Sequence, residues 1–463
     1  MTCDLLVTSA HLFSMDDERR VYPDGALAID GGRIVAVGPR RLIEPRFAPR
    51  RTLDARGGVV HPGFVETHVH VMNTARGAAS DTLPLGPGMS LNRRWWSVVE
   101  DDDEHVATLL TAAEMLVNGT TCFMEAGTVH APDAAAEAMQ ALGIRGLLGD
   151  PFLWDRGEET PGEENQRAPR SLERSLERLG GQLSRNDDPD ALVRGYVAVF
   201  GYGTASDELL HAAKAVADRA GVVLTQHQSF GPPDIAADAH LRGQRPLLHL
   251  EQAGLLGPNC TFSHMNLLHA EEQDAVARSG MAVAWCPSCA LSWGTGAAAT
   301  GTHAELHRRG VPVGLASDGA TSSCRYDIGL QGLLALLSTR ERSGDRTALG
   351  AADVLELATR GGARAAGLDA EIGTLEAGKR ADLVIRRPDL PETHPAGDPL
   401  QALVYAAGAK SVDTVLVDGR VVVADGRITG VDSERLFGLA DRSAARMRER
   451  LGYPSPRQWP EIR

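Results

Sequence analysis

Between residues 59 and 370, short apolar runs alternate with longer stretches whose apolar positions recur at helical spacing. The short runs are 59–68, 120–125, 144–148, 192–200, 222–227, 261–264, 281–286 and 311–318, which makes eight candidate strands. Among the intervening stretches, 105–117, 207–220, 271–279 and 302–309 carry an apolar face and a polar reverse face, the pattern of surface helices. Repeated strand-then-helix units predict an α/β fold with a parallel sheet. Eight such units over roughly 250 to 300 residues match the size of a (β/α)8 TIM-like barrel.

The two ends read differently. The first 55 residues give short strands at 4–9, 26–30 and 33–38, with Gly31-Gly32 as a turn. After a helical pattern at 351–366 the short strands return at 381–386, 414–417 and 420–423, with Asp418-Gly419 as a hairpin turn. The expected organisation is therefore a small discontinuous β-sandwich built from 1–58 and 371–430, a barrel over 59–370, and a C-terminal helical tail over 431–463. A chain of 463 residues exceeds what one hydrophobic core usually organises, which agrees with two folding units.

Charge narrows the function classes. Against 47 Lys and Arg stand 61 Asp and Glu, a net charge of −14, which disfavours a groove that tracks phosphates and so a nucleic-acid partner. No apolar run approaches the roughly 20 residues that span a bilayer, and residues 1–10 lack the features of a signal peptide, so the expectation is a cytoplasmic protein with no membrane role. The six cysteines (Cys3, Cys122, Cys260, Cys286, Cys289, Cys324) are sparse and mostly sit in apolar runs, as buried thiols do.

Several apolar runs end in a metal-binding or acid–base side chain. His68 and His70 stand in i, i+2 relation, which on a strand turns both rings to one side. His227, His264 and Asp318 each close a later run. Taken singly, each is as well explained by a hydrogen-bonded strand end or a helix cap. Five in the same phase are harder to dismiss, because a parallel barrel brings the C-terminal ends of its strands to one rim. Three neutral imidazoles and one carboxylate suit a single divalent ion such as Zn2+, with Fe2+ as the alternative, better than calcium or magnesium.

Two other patterns weigh less. His269-Ala-Glu271 upstream of Cys286-Pro-Ser-Cys289 is a poor match to the zinc site of cytidine deaminases, since the proline lies inside the cysteine pair. The same C-x-x-C lacks a thioredoxin-like context for a redox role.

The chain resembles the amidohydrolase superfamily, in the branch of cytosine, guanine and S-adenosylhomocysteine/methylthioadenosine deaminases and triazine hydrolases. The resemblance is carried by His61-Pro-Gly-Phe-Val-Glu-Thr-His-Val-His70, Ala113-Glu-Met-Leu-Val-Asn-Gly-Thr-Thr121, Ala316-Ser-Asp-Gly-Ala320, Gly373-Thr-Leu-Glu-Ala-Gly-Lys-Arg-Ala-Asp-Leu-Val384 and Val415-Leu-Val-Asp-Gly-Arg-Val-Val422. It implies that His68, His70, His227 and Asp318 hold the metal while His264 faces the substrate. It also implies a small-molecule substrate, often a homo-dimer or tetramer, and hydrolytic deamination of an aminated ring or amidine-like carbon, with Asp318 carrying the proton. Two departures stand out. The branch usually places Glu three residues after the strand-five His, where this chain has Phe230, and its C-P-x-S-N run reads Cys286-Pro-Ser-Cys-Ala290 here. These keep open hydrolysis of an amide, a cyclic amide or a ring substituent, and a non-catalytic metal-binding scaffold. Arg76, Trp95, Phe230 and Trp293 are the candidate substrate contacts.

Overall fold

The computed structural model of the chain describes residues 1–76, 85–157, 164–321, 325–452 and 459. Its first strands are β1 (Thr2–Phe13), β2 (Val21–Asp30), β3 (Arg33–Pro39), β4 (Ala48–Asp54) and β5 (Val59–Pro62). Ten more follow through the middle: β6 (Phe64–His70), β7 (Thr120–Glu125), β8 (Arg145–Leu148), β9 (Val193–Gly195), β10 (Val197–Gly201), β11 (Leu224–Gln228), β12 (Cys260–His264), β13 (Ala282–Trp285), β14 (Val313–Leu315) and β15 (Asp318–Gly319). The last are β16 (Leu383–Arg386), β17 (Val412–Val417), β18 (Arg420–Ala424) and β19 (Arg427–Ile428).

The chain ends meet in one nine-stranded sheet of order β19-β18-β17-β16-β5-β1-β2-β3, with β4 paired to β1. The sequence accounts for the meeting: Leu5, Val7, Leu27, Ile29 and Ile34 from one end share an apolar cluster with Leu383, Ile385 and Leu416 from the other. The run at 59–68 is two strands, not one. Gly63 separates them because a Cβ there would lie 2.0 Å from Thr121 Oγ1, so only glycine lets the chain leave the nine-stranded sheet and enter the next.

The middle strands form two purely parallel sheets, β15-β6-β7-β8-β9 and β10-β11-β12-β13-β14. Only Tyr196 separates β9 from β10, and only Ala316 and Ser317 separate β14 from β15. The fold is therefore α/β, with helices between parallel strands. Asp207–Ala220 shows why they form where predicted: Ser206 Oγ accepts the Leu209 N–H at 3.1 Å, Leu209, Leu210, Ala213 and Ala217 form the buried stripe, and Gly221 ends the helix at φ 64°. The helix Leu85–Val98 was not predicted, because its Leu-Gly-Pro-Gly opening carries loop signals that tertiary packing overrides.

Cys3, Cys122, Cys260, Cys286 and Cys289 are buried free thiols, as expected, and Cys324 lies outside the described residues. Among the described residues no helix is long and apolar enough to cross a membrane.

Candidate metal centre

The C-terminal ends of β6, β11 and β12 converge with Asp318, the first residue of β15. His68 and His70 leave β6 on one side, and their ring centroids are 5.1 Å apart. His227 from β11 brings its Nε2 to 3.1 Å from His70 Nε2, with its ring 4.6 Å from that of His68. Asp318 sets Oδ1 3.4 Å from His70 Nε2 and Oδ2 3.9 Å from His264 Nε2. Donor atoms of His68, His70 and His227 all lie within 4.8 Å of one another, and so do those of His68, His264 and Asp318.

The surroundings fix which nitrogen faces inward. Thr128 Oγ1 donates to Glu125 Oε1 at 2.7 Å, so it accepts from His70 Nδ1 at 2.8 Å and leaves a lone pair on His70 Nε2. His227 Nδ1 donates to the Phe200 carbonyl, with the same result for its Nε2. Glu66 accepts the Ser317 N–H at 2.9 and 3.0 Å and ties β6 to the turn that presents Asp318. His303 Nε2 donates to the His264 carbonyl at 2.6 Å. The backbone is strained at this rim: Tyr202, Ser229, His264 and Asp318 all have φ between 52° and 70°, left-handed values that non-glycine residues adopt where function demands a particular aim.

Burial sets the protonation states. It lowers the pKa of His68, His70 and His264 well below the usual imidazole value and that of His227 to about 4, so the rings are neutral and able to donate lone pairs at physiological pH. Burial raises the Asp318 carboxyl to about 6, against hydrogen bonds from Cys289 and the Gly319 N–H. Buried His68 Nε2 and both His264 ring nitrogens have no hydrogen-bond partner among the described residues. Unpaired buried nitrogens clustered beside a carboxylate fit a divalent cation of intermediate softness.

Above the centre lies a cavity whose wall includes Met72, Asn92, Trp96, Tyr202, Phe230 and Trp293. Phe230 and Trp293 thus stand where substrate contacts were expected. Trp95 does not: it lines a smaller cavity behind His70, and its neighbour Trp96 faces the centre instead. Arg76 pairs with Glu114 away from the cavity wall. Tyr202, whose ring lies 4.9 Å from that of His227, carried no signal in the sequence although it directly follows β10, at the same end of the parallel sheet as His227 and His264. Asn92 gave no signal, since the helix carrying it was not predicted.

Gly201 provides a check on this geometry. Its φ is 88°, and a Cβ would lie 2.2 Å from the His227 carbonyl oxygen and 2.6 Å from its nitrogen. Gly201→Ala is expected to push His227 out of position and weaken ion binding by about 10- to 100-fold, the range seen when a ligand's support is lost. Competition with a chromogenic chelator measures this; unchanged affinity would show that His227 does not depend on the close approach.

Residues 59–422 match the model described as the amidohydrolase family. The chain is 32% identical over 438 residues to a 5-methylthioadenosine/S-adenosylhomocysteine deaminase of Nitratidesulfovibrio vulgaris, covering 94% of this chain and 96% of the relative. Among solved structures it is similar to an adenosine deaminase from Xanthomonas campestris with bound zinc, at a TM-score of 0.89 and 30% identity, over 97% of this chain and 99% of that one. A mutant of the atrazine chlorohydrolase of Arthrobacter aurescens, complexed with zinc and atraton, gives a TM-score of 0.85 and 25% identity over 95% of this chain and 100% of the other. With a family model spanning most of its length and a relative matched nearly end to end, the chain belongs to the amidohydrolase family.

Proposed function

We propose that this metal-dependent hydrolase of non-peptide C–N bonds deaminates a small aminated heterocycle or an amidine-like carbon, using one divalent ion held by His68, His70, His227 and Asp318. The observation that carries the reading is the meeting of these side chains, distant in sequence, as a buried group with unpaired donor atoms. Zn2+ is the first choice of ion and Fe2+ the second. The same reading closes the two parallel sheets into one eight-stranded barrel across Tyr196 and across Ala316-Ser317, and makes the nine-stranded sheet the discontinuous sandwich. Dimers or tetramers in the cytoplasm, acting on a free small molecule, complete it.

When bound, such an ion lowers the pKa of water toward neutrality and polarises the group under attack. Asp318, a carboxylate whose burial favours proton uptake near neutrality, accepts the proton at Oδ2 and returns it to the departing nitrogen. His264, kept neutral by burial, presents a ring N–H to the negative charge that develops at the attacked carbon's oxygen. The aromatic wall excludes water and holds a flat ring in place.

One observation favours a second reading. Among the described residues Asp318 is the only carboxylate in the cavity wall, and the side near Phe230 is apolar, with Cys289 and Trp293 beside it. A centre that needs no second acid, such as an amide, a cyclic amide or a ring carbon with a good leaving group, suits that wall.

Metal analysis and an ammonia-release screen test the proposal. The panel holds adenosine-type compounds, prompted by the relatives' names, together with aminated triazines, pyrimidines and cyclic amides. The purified protein is expected to carry the ion and to release ammonia from at least one aminated ring. A chelator should abolish turnover and lower the melting temperature, and added zinc or ferrous iron should restore both. Bound metal with no hydrolysis of any compound would favour the scaffold; no metal at all would remove the site.

A further inference from the structure

The cavity over the centre offers a surface for flat rings: Met72, Trp96, Phe200, Tyr202, Phe230 and Trp293 in its wall are aromatic or thioether side chains. Beyond the side chains of the centre itself, Asn92, Arg93 and Thr321 are the polar members of that wall, and Asn92 is set apart by its buried, unpaired oxygen. The residue is 6% exposed, it lines the cavity, and its Oδ1 has no hydrogen-bond partner among the described residues. A buried amide oxygen left unpaired keeps its full desolvation cost, so such an atom is retained where a molecule from outside supplies the missing donor.

Asn92 is also held ready. It sits four residues before Trp96 on the helix Leu85–Val98, so both reach the cavity from one face of that helix. The C-terminal helix Ser433–Leu451 clamps this helix from behind. Arg94 Nη2 donates to the Leu451 carbonyl at 3.1 Å, and Arg450 Nη1 donates to the Val98 carbonyl at 2.9 Å. Fully buried Asp103 anchors the clamp, accepting from Ser443 at 2.7 Å and from Arg446 at 2.8 Å. Trp96 in turn places its ring 5.4 Å from that of His70, and Asn92 lines the same cavity as His70, His227 and Asp318.

We propose that Asn92 determines specificity: its amide receives a ring-edge N–H (amino, imino or lactam) from a flat heterocycle lying against Trp96. This rests on the reading of the cavity as the substrate site of the C–N hydrolase, and it narrows the substrate class to rings that carry such an N–H. Rings whose nitrogens are all alkylated leave Oδ1 buried without a donor and are rejected.

The test uses the zinc-loaded full-length protein and equilibrium binding read by quenching of tryptophan fluorescence. The probes are uracil and hypoxanthine, which carry ring N–H groups, and 1,3-dimethyluracil and caffeine, which do not. Wild-type protein is expected to bind the first pair about tenfold more tightly than the second. Asn92→Leu should abolish that preference while leaving zinc content unchanged. Its melting temperature should hold or rise, because no bond within the protein is lost from Oδ1, whereas a purely structural asparagine would leave the variant less stable. Equal affinity for the two pairs in the wild type, unchanged preference in Asn92→Leu, or binding of none of the probes would overturn the proposal. Preference lost in the variant, but no ammonia released from any compound in the screen, would instead sink the hydrolase reading and leave the role of Asn92 standing.

Discussion

Asp318→Asn is expected to lower turnover per bound ion by about 10³- to 10⁴-fold, toward the upper end of what a positioned acid–base group contributes. The substitution keeps the shape of the side chain and an oxygen facing His70 Nε2, 3.4 Å away, so part of the ion affinity survives. What disappears is the ability to take a proton and hand it on. No other carboxylate of the cavity wall, among the described residues, can stand in. Glu66 and Glu125, the other acids near the histidines, are occupied with the backbone N–H groups of Ser317 and of Gly127 and Thr128. Expressing the rate per ion separates lost chemistry from lost metal: unchanged turnover at full occupancy would take Asp318 out of the proton path. His264→Asn should cost less, about 10²-fold, with ion content intact, because it removes one hydrogen-bond donor and no proton carrier.

The centre was legible in the sequence because its residues obey a positional rule. In a parallel sheet the C-terminal ends of the strands lie along one edge, where their apolar runs stop, so His68, His70, His227, His264 and Asp318 could be read as one set without any knowledge of contacts. The strands that carry them were legible for the same reason, being short apolar segments bounded by turns. Tyr202 obeys the rule too, but tyrosine is not among the usual ligands of zinc and so did not stand out. What stayed hidden lacked a periodic signature. The break at Gly63 depends on the side chain of Thr121, 58 positions away in the chain, and no local pattern encodes that crowding. The helix Leu85–Val98 opens with glycines and a proline and is specified by what it packs against, so Asn92 and Trp96 arrived with it unannounced. Choosing between Trp95 and Trp96 as the cavity residue needed the helix phase, since adjacent positions turn about 100° apart.

The ion pair between Arg145 and Asp382 was equally invisible, and it should have the largest effect on stability. Arg145, on β8, is 3% exposed and donates through Nε to Asp382 Oδ2 at 2.8 Å and through Nη2 to Oδ1 at 3.1 Å. Asp382 precedes β16 in the nine-stranded sheet, accepts the Asp418 N–H at 2.7 Å, and its own carbonyl accepts the Gly63 N–H at 3.0 Å just before β6 begins. One residue therefore joins the sheet of the chain ends and a parallel sheet through its carboxylate, and the strand that carries His68 and His70 through its carbonyl. Arg145→Leu leaves that carboxylate buried without its counter-charge and is expected to cost about 3 to 5 kcal/mol. Surface pairs such as Arg278 with Glu251, 61% and 34% exposed, should cost less than about 1 kcal/mol when broken. Because the penalty comes from the stranded charge, the double variant Arg145→Leu, Asp382→Leu should be less destabilised than Arg145→Leu alone, an outcome that loss of packing by itself would not give. Urea denaturation of the two single variants and the double variant measures the coupling. A single variant within about 1 kcal/mol of wild type would show that the pair is a bystander at the junction, and that apolar contact alone holds the two sheets together.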